Sequence, residues 1–198
     1  MPTQHSGRPR SCAVPDLVGL TIADAPEAWA QIGFAVTGGA FVLGGVTIAL
    51  AGRGRGEGIV DWTLGAAAAA AAPAVPHPNR AFALDHVVMR TPDFERTRDE
   101  LVAEGLDLRR ERNDLRDTRM AFFRVGPALL ELVSAPGGEA ALWGLVAVVP
   151  SVGEPAPPLA GRLGAPRDAV QPGRRIAPLR ATPGISTAVA FMTPRASR

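Results

Sequence analysis

Internal repetition is the feature of this chain that most narrows what it can fold into. Ala83-Leu84-Asp85-His86-Val87-Val88 lines up with Ala141-Leu142-Trp143-Gly144-Leu145-Val146. Leu132-Val133-Ser134-Ala135-Pro136 likewise lines up with Ala190-Phe191-Met192-Thr193-Pro194, give or take one residue. A repeat of this size is a supersecondary unit that buries its apolar face against a neighbour.

The first copy shows what the unit contains. Leu84 to Arg90 (LDHVVMR) reads as a strand, and Thr91-Pro92 reads as a helix start, a cap followed by proline. Phe94, Leu101 and Val102 give the helix an apolar side, and Gly105 stops it. Leu106 to Arg112, Met120 to Val125 and Ala128 to Ser134 follow as strands, giving the order β-α-β-β-β. The second copy has strands at Leu142 to Val149, Arg174 to Leu179 and Ile185 to Met192, with room for only a short helix at Leu159 to Leu163. Pro178 cannot donate to a ladder, so its strand is expected at an edge or a bulge. Leu17 to Leu50 reads as a shorter third copy: a strand LVGLTI, a helix capped by Asp24 with Trp29 and Ile32 on one side, then strands.

These patterns predict an α+β protein of repeated βαβββ modules. A flexible tail spans 1–15, a short N-terminal βαβββ-like module 16–64, an Ala/Pro linker 65–80, a central module 81–137 and a C-terminal βαβββ-like module 138–195. His77, between two prolines, is read as part of the linker. The uncharged run from Ala28 to Gly52 is long enough for a membrane span. Gly38-Gly39 and Gly44-Gly45 punctuate it like turns, however, so a hairpin is the better reading and no membrane partner is expected.

Composition excludes several function classes. The formal charge is only +2, acids and bases are interspersed, and aromatic residues are few, which argues against a nucleic-acid partner. Cys12 is the single cysteine, so no internal disulfide forms, and no secretory apolar segment follows the polar start. The expectation is a cytoplasmic protein.

The segments ALDHVVMRTPDFERT, AFFRVGPALLELVSAP, LWGLVAVV and DAVQPGRRIA together resemble the glyoxalase-like branch of the vicinal oxygen chelate superfamily. The resemblance implies paired βαβββ modules whose mixed sheets curl into a cup with helices outside. It also implies a divalent metal held there by His or Gln on first strands and Glu on last strands, where it chelates neighbouring oxygens of a small substrate. Carried over, His86 falls on the first-strand ligand position and Glu131 on the last-strand one, a pair suited to Zn, Fe, Mn or Ni. The second half departs from this pattern, with Gly144 and either Val189 or Ala190 at the matching positions. Either a homodimer supplies the rest of the ligand set, or the metal is gone.

The resemblance implies a lyase, isomerase or dioxygenase of the glyoxalase type, acting on a small-molecule substrate. The rival reading is a metal-free binding protein of the same fold, and a third is a degenerate module kept for assembly. Glu131 is also a candidate catalytic base, since a carboxylate in an apolar cup is suited to taking a proton beside a carbonyl. Arg174 and Arg175, with Gln171 in the preceding turn, are candidates for holding an acidic group of the substrate. Arg109 to Arg119 mixes both signs and reads as a solvated strand and loop. Trp29, Trp62 and Trp143 read as core or cup wall. Asp85 is expected on the opposite sheet face from His86 if the strand is regular.

Overall fold

The structure is a computed structural model and describes residues 14–66, 75–113 and 118–195. The tail through residue 13, with His5 and Cys12, lies outside these residues, as do 67–74 of the linker and 114–117.

Eight strands form one mixed sheet, and its order follows from two modules joined along their first strands. The first module is β5 (Ala83–Thr91), α2 (Phe94–Ala103), β6 (Asp107–Asn113), β7 (Arg119–Val125) and β8 (Ala128–Ser134). The second is β9 (Ala141–Val148), β10 (Arg167–Asp168), β11 (Arg175–Pro178) and β12 (Ala188–Met192). The order across the sheet is β10-β11-β12-β9-β5-β8-β7-β6. Within each module the first and last strands run parallel, β5 with β8 and β9 with β12, while β5 and β9 meet antiparallel at the centre. This is the paired strand order that the sequence predicts for two βαβββ modules.

The ladder also fixes how the halves correspond. His86 faces Val146 and Gly144 faces Val88, so a two-fold axis between β5 and β9 places His86 on Gly144. Val88 pairs with Glu131 and Val146 with Ala190, which makes Ala190 the counterpart of Glu131. Both first strands carry a register shift at equivalent places, with Asp85 as the extra residue in one and Trp143 in the other.

One sheet face is apolar and covered. Leu84, Val87, Leu130, Leu132, Leu145 and Phe191 belong to a core that continues into the N-terminal part. Over the first module the cover is α2, which buries Phe94, Thr97 and Leu101. Asp93, not Thr91, caps this helix by accepting from the Arg96 amide at 3.2 Å. Thr91 ends β5 instead, its hydroxyl bonded to Thr97 at 2.7 Å.

The second module has no α-helix among its described residues, only a single 3-10 turn at Pro157–Leu159. Its cover comes from the N-terminal segment: β1 (Asp16–Ile22), α1 (Pro26–Gln31), β2 (Ala40–Leu43), β3 (Val46–Leu50) and β4 (Ile59–Gly65). Phe34 stacks on Phe191 at 6.3 Å, and Gly33 and Gly184 lie so close to Pro158 and Ala28 that a Cβ on either would stand 2.7 Å from a side-chain carbon. Asp24 is not a helix cap. It is fully buried and accepts from Trp29 Nε1, the Ser186 amide and hydroxyl, and the Thr187 hydroxyl at 2.5–3.1 Å, which staples the two parts together.

The N-terminal sheet has the order β2-β3-β1-β4, with β3 parallel and β4 antiparallel to β1. It is therefore a module one strand short, and β4 flanks β1 as β9 flanks β5. The glycine-rich stretch Gly52–Gly58 lets the chain cross the end of β1, where Ala51 and Ala23 pair with Ile22 and Gly58. The apolar run is the expected hairpin, turning at Gly44-Gly45 with φ of 61° and 88°. Phe34 to Val36 lies outside the sheet, with Phe34 packed among Trp29, Phe41 and His77.

His77 belongs to this packing. Its Nδ1 accepts from the Ala35 amide at 3.0 Å and its Nε2 donates to the Val42 carbonyl at 2.9 Å, so these partners select one neutral tautomer. Burial holds its pKa below the ordinary 6.5, against the smaller upward pull of the Val42 carbonyl. Among the described residues no helix is long and apolar enough to cross a membrane.

Candidate functional site

The uncovered face of the eight-stranded sheet is concave. Two adjoining hollows on it, of about 520 and 380 Å³, share His86 and Glu131. Alternation along β5 and β8 puts both side chains on this face, because their neighbours Val87, Leu130 and Leu132 go to the core.

The bulge in β5 changes what surrounds His86. In a regular strand Asp85 would point away, as the sequence reading has it. The extra residue breaks the alternation, and Asp85 Oδ2 instead meets His86 Nδ1 at 2.8 Å. Asp85 Oδ1 takes the Arg174 guanidinium at 2.6 Å. His86 Nε2 then stands 3.5 Å from Glu131 Oε2. The result is a row of four ionisable groups, Arg174, Asp85, His86 and Glu131, crossing from the second module to the first. Burial pushes Asp85 upward, but hydrogen bonds from His86 and Arg174 and their charges outweigh it and hold Asp85 below its ordinary range.

Arg174 is only 2 % exposed and is fully engaged: it donates to Asp85, to the Thr193 carbonyl at 2.7 Å and to Gln171 Oε1 at 3.5 Å. Gln171 begins the turn closed by Gly173 (φ 76°) and lines the smaller hollow. Arg175 is exposed and reaches the Pro166 carbonyl at 3.0 Å, apart from the row. β11, expected at the sheet edge or bulged at Pro178, lies one strand in from the edge that β10 forms, but Pro178 is its last residue, past the two that pair with β10. Leu179 donates to Val189 and Thr193 to Arg175, so the nitrogen of Pro178 faces away from β12.

Sequence reasoning missed three residues of the site. Asp85, behind His86 rather than in the cup lining, depends on a bulge that nothing in LDHVVMR announces. Arg112 and Arg167 line the smaller hollow from opposite edges of the sheet, and Arg112 was hidden in a mixed-charge run. Trp143, expected as core or cup wall, is half exposed over the larger hollow, with the Arg90 guanidinium 5.0 Å from its ring centroid.

His86 Nε2 and Glu131 Oε2 are two donors, and the described residues hold no group of three His, Cys, Asp or Glu side chains placed to bind an ion. Gly144 and Ala190 add none. The Gly144 position is also closed, since a Cβ there would stand 2.5 Å from the Ala188 carbonyl oxygen. These residues do not fit a resident metal.

No family model matches this chain, and no curated protein matches it. Among solved structures it is similar to methylmalonyl-CoA epimerase from Mycobacterium tuberculosis, at 17% identity and a TM-score of 0.48, over 59% of this chain and 91% of that one. A variant of the Streptomyces coelicolor methylmalonyl-CoA epimerase, in complex with 2-nitronate-propionyl-CoA, matches at 16% identity and 0.46, over 60% and 98%. A mutant of 4-hydroxymandelate synthase from Streptomyces coelicolor matches at 14% identity and 0.44, over 92% of this chain and 71% of that one. These neighbours have vicinal oxygen chelate folds. At such identities and scores they carry no argument about chemistry, which has to be sought in this chain's own side chains.

Proposed function

We propose that the cup binds a small carbonyl compound with a neighbouring oxygen, and that Glu131 and His86 move a proton at the carbon beside its carbonyl without a metal. The row from Arg174 to Glu131, which opens into the cup at its His86–Glu131 end, is the observation that carries this reading. In its imidazolium form His86 lies between two carboxylates, and the four groups then sum to zero charge. Asp85 accepts from Nδ1 and orients the ring, while Arg174 neutralises Asp85. Nε2 is left facing the cup beside the Glu131 carboxylate.

The step balances with these groups alone. Glu131 takes a proton from carbon, the C–H electrons become the enol double bond, and the carbonyl oxygen takes a proton from His86 Nε2. Reversal returns the proton to carbon. In low-dielectric surroundings such proton transfers are worth about 10²–10⁴-fold in rate per group.

The test is deuterium incorporation from D₂O into a panel of 2-oxo acids and 1,2-dicarbonyls, followed by NMR, on protein purified without tag or chelator. Exchange that survives EDTA and falls by about 100-fold or more in Glu131→Gln is expected. Near-stoichiometric metal that disappears in His86→Ala would overturn the metal-free reading. Binding without exchange would leave a small-molecule binding protein, a reading that the apolar wall around Trp143 also favours.

A further inference from the structure

The strands at the two ends of the eight-stranded sheet, β10 and β6, both contribute to the smaller hollow, so the sheet curls until its edges face each other across the cup. Each edge brings an arginine, Arg112 from β6 and Arg167 from β10. Neither is in an ion pair among the described residues. The Nε of Arg112 is buried and makes no hydrogen bond there, while its guanidinium carbon lies 6.0 Å from the Phe122 ring centroid. A buried donor without an acceptor is costly, and a ligand oxygen would remove that cost.

We propose that Arg112 and Arg167 clamp the carboxylate of the ligand over the His86–Glu131 pair, which makes the substrate class a small 2-oxo or related carboxylic acid. Guanidinium forks approaching from two sides match the planar geometry of a carboxylate. Glu131 and Asp168 share the same hollow, so a monoanion is accepted more easily than a phosphate dianion. The larger hollow, lined by Val88, Val133, Trp143 and Ile176, takes the apolar body of the same molecule. The clamp therefore deepens the proposed function by naming the charge and shape of what enters. It differs from the sequence expectation, in which Arg174 and Arg175 hold the acid: Arg174 is spent on Asp85, and Arg175 on the Pro166 carbonyl.

Benzoylformate separates the clamp from the proton transfer, because this 2-oxo acid has no C–H beside its ketone and can bind without exchanging. Its dissociation constant is measured by calorimetry beside that of its neutral methyl ester. The wild type should prefer the acid, and Arg112→Gln and Arg167→Gln should each weaken acid binding by about tenfold or more while leaving the ester unchanged. Arg112→Lys keeps the charge without the fork and should fall between. Arg55→Gln, at an exposed arginine of the N-terminal part that lines none of these hollows, should bind like the wild type. Circular dichroism and melting temperature confirm that each variant is folded. Equal binding of acid and ester, unchanged acid affinity in the double variant, tighter binding of phenyl phosphate than of benzoylformate, or no acid binding up to about 10 mM would each overturn the clamp. A clamp that fails while 2-oxo acids still exchange deuterium leaves the proton-transfer reading standing, and the reverse result leaves the clamp.

Discussion

The two central strands carry the same bulge and put it to opposite use. In β5 the extra residue is Asp85, and the residue after it is His86, oriented by that carboxylate. In β9 the extra residue is Trp143, and the residue after it is Gly144, pressed against the backbone of β12. One half of a near-symmetric sheet keeps the His86–Glu131 pair, and the other brings arginines, an aromatic wall and a closed backbone contact. The lesson is that duplication fixes the shape of the cup while each half is free to spend the equivalent positions differently. The second half has no α-helix among its described residues, and the N-terminal segment packs on its apolar face through Phe34, Gly33 and Ala28.

The strongest way to break this division of labour is to cut the ion pair that crosses it. Arg174 comes from the half without donors and ends on Asp85 in the other. Arg174→Met would leave a half-buried carboxylate facing His86 alone, and a loss of about 3–5 kcal/mol is expected in urea denaturation. The double variant with Asp85→Asn should recover a good part of that, since the cost lies in the stranded charge. A loss under about 1 kcal/mol in the single variant would mean that the row is held together by something other than this pair.

Gly144→Ala probes the closed position directly. The new methyl would meet the Ala188 carbonyl oxygen at 2.5 Å, so β9 and β12 must part, at a cost of about 1–3 kcal/mol. Ala190→Glu, at the counterpart of Glu131 and facing the larger hollow, should cost under about 1 kcal/mol. If both substitutions prove equally harmless, the second half is merely bare and a donor could be restored at either place.

Much of this was legible in the sequence, and the reasons it failed elsewhere are local. The alignment of His86 with Gly144 could be read because the two modules repeat residue by residue, and the ladder pairs them the same way. Glu131 stood out because a carboxylate between Leu130 and Leu132 has to face something polar. Asp85 did not, because a strand pattern assumes strict alternation and a bulge suspends it. Arg112 did not, because its partner across the cup lies at the far edge of the sheet, and sequence distance hides a curl. His77 looked like linker. Its role comes from two backbone groups, the Ala35 amide and the Val42 carbonyl, that no side-chain pattern reveals.

Acid should separate the seam from the cup. His77 has a folded pKa below its ordinary 6.5, so the unfolded chain takes up the proton first. The stability it contributes is complete above pH 6.5 and is lost as pH falls from there toward the lowered value. Asp85 is a depressed carboxylate, so its contribution is present above its ordinary 3.8 and is lost as pH falls through the lower folded value. Denaturation midpoints measured against pH should fall in two windows. His77→Gln should flatten the first and Asp85→Asn the second. A single window removed by either substitution alone would mean that the two regions do not titrate independently.

The smallest expected effect on stability tests which half recognises the body of the ligand. Trp29 is fully buried, Trp62 is half-buried in the N-terminal sheet, and Trp143 stands 50 % exposed above the larger hollow. Trp143→Phe removes little packing and should change stability by less than about 0.5 kcal/mol. It should nonetheless abolish any change in tryptophan fluorescence caused by a bound 2-oxo acid, because the other two indoles lie outside the cup. With the signal gone and affinity lowered, the donor-free half is the recognition half, and its aromatic bulge is the counterpart in function of the acidic bulge opposite. A signal that persists in Trp143→Phe places the ligand near another indole, and the comparison of the two bulges would then describe only the architecture.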